Sequence, residues 1–253
     1  MIDHTNNPNA AIIIIGNEIL SGRTVDQNLP FLAKALCEIG ITLQEARTIA
    51  DDEQSIINTI NEYRANYEYV FTSGGIGPTH DDVTTSCVAK AFNKPLVLNA
   101  EAKRRLTSNY TNEEMNEARL KMAHVPEGAT LIDNPISAAP GFRVENVYVM
   151  AGVPSILQAM FNGIRNHLRS GPVTVSRSIT ANIPEGLIAT PLANLQNRNR
   201  DVEIGSYPFF RDGESGATFV LRCTDVDRLL SVLESLKRLV RDLGHEPFEE
   251  DRF

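Results

Sequence analysis

The sequence predicts an α/β protein: a mostly parallel sheet with helices on both faces, followed by a small α+β domain. Three observations carry that expectation. Ala10-Ala11-Ile12-Ile13-Ile14-Ile15 is an unbroken apolar run that stops at Gly16, as a strand buried on both faces requires. Strand-like and helix-like segments then follow as β-α-β-α-β-loop-α, an order that builds a parallel sheet covered on both sides. After Ser170-Gly171-Pro172 the order begins again, which sets a first domain at 1–171 and a second at 172–253.

In chain order, Leu29, Leu32, Ala33, Leu36 and Ile39 recur at helical spacing, and Gly40 ends the pattern. Residues 42–49 suit a second strand. Ile56, Ile57, Ile60 and Tyr63 mark the next helix, and 69–72 a third strand that runs into Ser73-Gly74-Gly75. Residues 83–92 read as a helix. The stretch 101–122 is polar and helical with a break near Thr111-Asn112, and Pro126, Gly128, Pro135, Pro140 and Gly141 punctuate a loop-rich segment. Two short strands, 142–144 and 147–149, flank Glu145-Asn146. Ser155 is a candidate N-cap for a helix running to Leu168. In the second domain, strands at 173–180, 202–207 and 218–223 with helices at 185–195 and 225–243 give a β-α-β-β-α unit.

Net charge is −8 and the pI about 5.2, so neither nucleic acid nor an anionic membrane is an expected partner. Cys37, Cys87 and Cys223 are odd in number and widely spaced, which indicates neither a disulfide framework nor a zinc knuckle. Cys37 and Cys87 fall in apolar helical patterns and are expected in the core. The apolar run at 10–15 is too short to span a bilayer and has no basic segment before it, so a cytoplasmic location is expected.

The chemistry concentrates in Thr72-Ser73-Gly74-Gly75-Ile76-Gly77-Pro78-Thr79-His80-Asp81-Asp82-Val83-Thr84, which follows a strand and opens a helix. Glycines remove Cβ atoms, so backbone N–H groups can turn toward an anion, and a helix N-terminus adds partial positive charge. Ser73, Gly74, Gly75, Gly77, Pro78 and Thr79 are the candidate phosphate-binding residues. The segment lacks both the Gly-Lys-Ser/Thr ending of an ATPase loop and the glycine spacing of a dinucleotide fingerprint. The competing reading is a tight turn with Asp82 capping the helix. The pair Asp81-Asp82 weighs against it: carboxylates beside an anion loop repel the ligand unless a divalent cation lies between them. Glu18, after the first strand, is a candidate for a metal or a ligand hydroxyl. Asp26 and Asn28 equally suit helix caps, and Asp51-Asp52-Glu53 suits a helix start. His80 offers a phosphate donor or an acid. Arg143, Lys90 and Arg23 could neutralise phosphate or sit solvated on the surface.

Three segments together resemble one family: Gly16-Asn17-Glu18-Ile19-Leu20-Ser21-Gly22, the glycine–aspartate loop 74–84, and Ala139-Pro140-Gly141-Phe142 followed by Ala151-Gly152-Val153-Pro154. The chain is similar to the competence/damage-inducible protein A (CinA) family. The same domain stands at the front of eukaryotic FAD synthases, and the wider superfamily holds the MoaB, MogA and gephyrin-type molybdopterin-binding domains. The similarity covers about residues 10 to 170, and the second domain in layout only. Ala151 stands where many relatives have proline, and the nicotinamide-nucleotide deamidase domain of full-length CinA proteins is not expected.

The resemblance implies a three-layer α/β/α sandwich with the ligand over the loop. Relatives in molybdenum cofactor synthesis bind and adenylylate molybdopterin. CinA-like members and the FAD synthase domain are credited with metal-dependent hydrolysis of ADP-ribose or FAD. Asp82 matches the family's key aspartate, and Asp51, or Asp52 one step away, the second acidic position. The expectation is therefore a nucleotide pyrophosphatase with Asp82 and Asp51 catalytic, a divalent ion such as Mg²⁺ on Asp82, Asp51 and Glu18, and a small nucleotide or pterin as ligand. The alternative is a molybdopterin-binding or adenylylating protein, or a regulatory nucleotide-binding module. A homo-oligomer, dimer or trimer, is expected.

Overall fold

The computed structural model describes residues 7–109, 115–211 and 213–250, so the break expected near Thr111-Asn112 lies outside the described residues. The chain divides into two compact units, Asn7–Gly171 and Pro172–Phe253.

The first unit opens with β1 (Asn9–Ile15), the single-turn helix α1 (Asn17–Leu20), α2 (Asn28–Cys37), β2 (Thr42–Ile49), α3 (Glu53–Asn66), β3 (Tyr69–Ser73) and α4 (Thr84–Ala91). It continues with β4 (Leu96–Leu98), α5 (Ala100–Asn109), α6 (Glu117–Lys121), β5 (His124–Pro126), β6 (Thr130–Ile132), β7 (Gly141–Val144), β8 (Val147–Met150) and α7 (Pro154–Ile164). The main sheet has the order β2-β1-β3-β8-β7-β6. β2, β1, β3 and β8 run parallel, while β7 is antiparallel to both of its neighbours.

β1 lies second in that order, and its uninterrupted apolar sequence follows from its place between two helical layers. Ala11, Ile13 and Ile15 pack with Ile56, Ile60 and Tyr63 of α3 and Cys87 and Val88 of α4. Ala10, Ile12 and Ile14 pack with Leu32 and Leu36 of α2 and Leu157, Met160 and Phe161 of α7. Successive residues of a strand face opposite ways, so a strand between two helical layers needs apolar residues at every position. Each such buried isoleucine stabilises the fold by about 1.5–3 kcal/mol. The first unit is thus the expected three-layer α/β/α sandwich.

Several details differ from the sequence reading. α1 and β4 occupy segments to which the sequence reading gave no element, and β5 and β6 fall at the start of the stretch read as loop-rich, because elements this short show no period. α7 begins with Pro154 at its first turn and Val153 as N-cap, so Ser155 lies inside the helix. α7 ends at Ile164, and a 3₁₀ turn (Arg165–His167) follows. Cys37 is exposed at the end of α2, whereas Cys87 is buried and its thiol pushed up to about 11 by desolvation.

The second unit contains β9 (Val175–Ala181), α8 (Glu185–Arg198), β10 (Glu203–Arg211), β11 (Glu214–Cys223), α9 (Val226–Asp242) and β12 (Phe248–Glu250). Its antiparallel sheet has the order β10-β11-β9-β12. Ile179, Phe219 and Leu221 meet Ile188 of α8 and Leu229, Leu233 and Leu236 of α9 in a core of its own. No helix among the described residues is long and apolar enough to cross a membrane.

Candidate functional site

The carboxyl ends of β1, β3 and β8 meet at Gly16, Gly74 and Gly152, the edge where parallel sheets place ligands. Close contacts require glycine at positions 74 and 75. Gly74 (φ 108°) would set a Cβ 2.2 Å from the Ile15 carbonyl oxygen, and Gly75 (φ 69°) one 2.1 Å from Thr84 Oγ1. Asn28, buried at the start of α2, ties the ends together. Its Nδ2 donates to Ser73 Oγ at 2.8 Å and to the Gly152 carbonyl at 2.7 Å. Asp26, one residue before the N-cap Gln27, accepts from the Asn28 and Leu29 N–H groups.

Above these ends lies a cavity of about 730 Å³. Gly74, Gly75, Ile76, Gly77, Pro78 and Thr79 line it, with Glu18, Asp51, Asp81, Asp82 and Arg119, and with an apolar wall that includes Ile15, Met122 and Val153. Not every N–H of the loop is open to a ligand. Gly74 donates to the Met150 carbonyl, and Thr79 donates to Asp82 Oδ2. Among the described residues, the N–H groups of Gly75, Ile76 and Gly77 have no protein acceptor, so the anion cradle narrows to these three. Ser73 is placed differently from the sequence expectation. It is buried, its hydroxyl accepts from Asn28, and it does not line the cavity.

Asp82 does not cap α4, whose N-cap is Val83 without a side-chain bond. Its Oδ2 instead accepts from the Thr79 N–H at 2.8 Å and from the Thr79 hydroxyl at 2.5 Å. The same hydroxyl lies 2.5 Å from Asp81 Oδ1 and holds that carboxyl below its usual range. One hydroxyl carries one proton, so it serves only one of the two carboxylates at a time. Asp51 and Asp52 are placed differently. Asp52 caps α3 through the Ser55 N–H at 2.9 Å, whereas half-buried Asp51 lines the cavity, its Oδ2 accepting from the Asn17 N–H at 2.8 Å. Glu18 folds over Gly16 and lines the same cavity. Among the described residues, no three His, Cys, Asp or Glu side chains converge as a metal cluster.

The other candidates disperse. His80 is fully exposed at 99% and does not line the cavity. Lys90 pairs with Glu53 at 2.5 Å, Arg143 lies over the Tyr148 ring, and Arg23 is exposed away from the cavity lining. The basic residue of the lining is Arg119 of α6, which the sequence reading passed over. Lys121 of the same helix also went unremarked; its Nζ donates to the Thr79 and Asp82 carbonyls. Both lie in a polar helical stretch with no local motif, so only the tertiary fold identifies them.

A family profile described as a probable molybdopterin binding domain matches residues 11–169, and one described as FAD synthase, middle domain, matches residues 173–245. A protein of Archaeoglobus fulgidus is 39% identical over 197 residues, covering 78% of this chain and 84% of that relative. A probable FAD synthase of Caenorhabditis elegans is 29% identical, and the alignment covers 93% of this chain and 50% of that protein. Among solved structures, the protein CinA from Thermoplasma acidophilum superimposes with a TM-score of 0.61 at 32% identity, over 64% of this chain and 98% of that one.

Proposed function

The chain belongs to the molybdopterin-binding-domain family in its CinA-like form, and from that premise we propose that it is a metal-dependent nucleotide pyrophosphatase. Its substrate would be ADP-ribose- or FAD-like, cleaved at the P–O–P bond. The observation that carries this reading is the shared cavity: Gly75, Ile76 and Gly77, whose N–H groups have no protein acceptor among the described residues, line it together with Asp51 and Asp82. Similarity to FAD synthases in both units supports a nucleotide of that class.

The donor set fits a hard divalent cation, because Asp51, Asp81, Asp82 and Glu18 offer oxygen alone. Mg²⁺ is commonly held by one or two carboxylates together with substrate phosphates and water, so a three-acid protein cluster is not required. When bound, such an ion supplies electrophilic polarisation of phosphoryl oxygen and a water of lowered pKa. The protein's own groups do the rest. The N–H groups of Gly75, Ile76 and Gly77 hold and orient one phosphate. Asp51 and Asp82 each give one carboxylate oxygen to the backbone, and their Oδ1 atoms have no protein donor among the described residues. Those Oδ1 atoms are the positions from which a cation would be held or a proton accepted from water.

The test is hydrolysis of ADP-ribose and FAD by the purified chain with Mg²⁺, Mn²⁺ and Co²⁺. Turnover that disappears with EDTA is expected. No turnover with any of these metals overturns hydrolysis, and pterin fluorescence copurifying with the chain would then favour the molybdopterin-binding or adenylylating reading.

A further inference from the structure

Lys121 ends α6, 42 residues after Thr79, and its ammonium reaches the loop. Nζ donates to the Thr79 carbonyl at 2.7 Å and to the Asp82 carbonyl at 2.9 Å, the two ends of one four-residue turn. It makes no ion pair with Asp81 or Asp82, and among the described residues neither carboxylate pairs with any Lys or Arg. The distinction matters chemically. A lysine on the carboxylates would neutralise them and occupy the oxygens a cation needs. A lysine on the carbonyls fixes the turn, adds positive charge beside it and leaves those oxygens open. Inside the turn, Asp82 Oδ2 closes back on the Thr79 N–H, so the ammonium and the carboxylate brace the same four residues.

We infer that Lys121 is a positioning residue: it holds the Thr79–Asp82 turn so that the N–H cradle and the Asp82 carboxylate keep their relation while both stay open to a ligand. α6 thereby serves the site twice, since Arg119 and Met122 of the same segment line the cavity. The functional half of this inference rests on the pyrophosphatase reading; the structural half does not.

The experiment uses the full chain with Lys121→Met and Lys121→Arg. Amide hydrogen exchange is measured at Thr79 and across β1 and β3, and Mg²⁺–pyrophosphate binding is followed by calorimetry. In Lys121→Met, exchange at Thr79 should rise and pyrophosphate affinity fall, each by about tenfold or more, on the scale of losing a charged hydrogen bond. β1 and β3 should stay protected, and Lys121→Arg should restore most of both losses. Unchanged Thr79 exchange in Lys121→Met overturns the inference. So does equal loss of β1 and β3 protection in both variants, which would make Lys121 a general fold contact. If wild type binds no pyrophosphate, the pyrophosphatase reading fails, and Thr79 exchange alone still decides the role of Lys121.

Discussion

One oxygen of Asp82 is committed to the Thr79 N–H and the other is not. Asparagine in its place keeps an acceptor for that N–H and loses the charge. Asp82→Asn should therefore cost no more than about 1 kcal/mol of stability. Turnover should fall by about a hundredfold or more, the effect of deleting an electrostatic stabiliser. Thermal melts and metal-dependent hydrolysis measured together check both halves, and unchanged turnover in the folded variant would rule out the mechanism. Gly75→Ala reports on the cradle itself. Its positive φ and the 2.1 Å approach to Thr84 Oγ1 leave no room for a methyl group. A loss of about 1–3 kcal/mol is expected, together with weaker pyrophosphate binding. An alanine variant with wild-type melting and affinity would show that the turn relaxes freely. At this scale the sequence was informative where chemistry is contiguous, as in the glycine–aspartate loop. It was silent on Lys121 and Arg119, because a contact across 42 residues leaves no local trace.

Among the elements, β2 and α3 carry a strongly perturbed acid. Glu45 accepts hydrogen bonds from the hydroxyls of Tyr63 and Tyr67 and from Arg47, and these hold its carboxyl down at about 2. Tyr63 is pushed above its ordinary value by burial and by the same carboxylate, so it stays a donor. The folded value lies below the unfolded one of about 4.3. The contribution is therefore present above about pH 4.3 and lost as pH falls toward 2. Comparing acid melts of wild type and Glu45→Gln, the stability difference should shrink over that window; a difference constant from pH 5 to 2 would remove Glu45 from the acid response. Elements differ in how far their sequence betrays them. β1 was legible because six consecutive apolar residues satisfy two cores at once. β4, β5 and β6, three residues each, are defined by their partners and not by any pattern of their own.

For the whole molecule, a net charge of −8 and four carboxylates at the cavity set a condition on anion binding. On the proposed reading no general field draws pyrophosphate in, and affinity would come from local N–H groups, Arg119 and a cation. Removing divalent metal with EDTA should weaken pyrophosphate binding by about tenfold or more, since the carboxylates then oppose the ligand unscreened. Equal affinity with and without metal would dispose of the cation. The two units offer a separate test of where that binding resides. The cores of the first unit draw on residues between Ala10 and Leu168, and the core of the second on residues from Val175 onward. Leu236 is fully buried between α9 and the second sheet, so Leu236→Ala should destabilise that unit by about 2–5 kcal/mol through the lost side chain and the cavity left behind. Every residue lining the proposed site belongs to the first unit, so pyrophosphate affinity should not change. Amide exchange separates the cases: faster exchange in β9 and β11 with β1 and β3 still protected is the expected result. Loss of protection in β1 and β3 together with loss of binding would show that the second unit's stability is needed for the site to form.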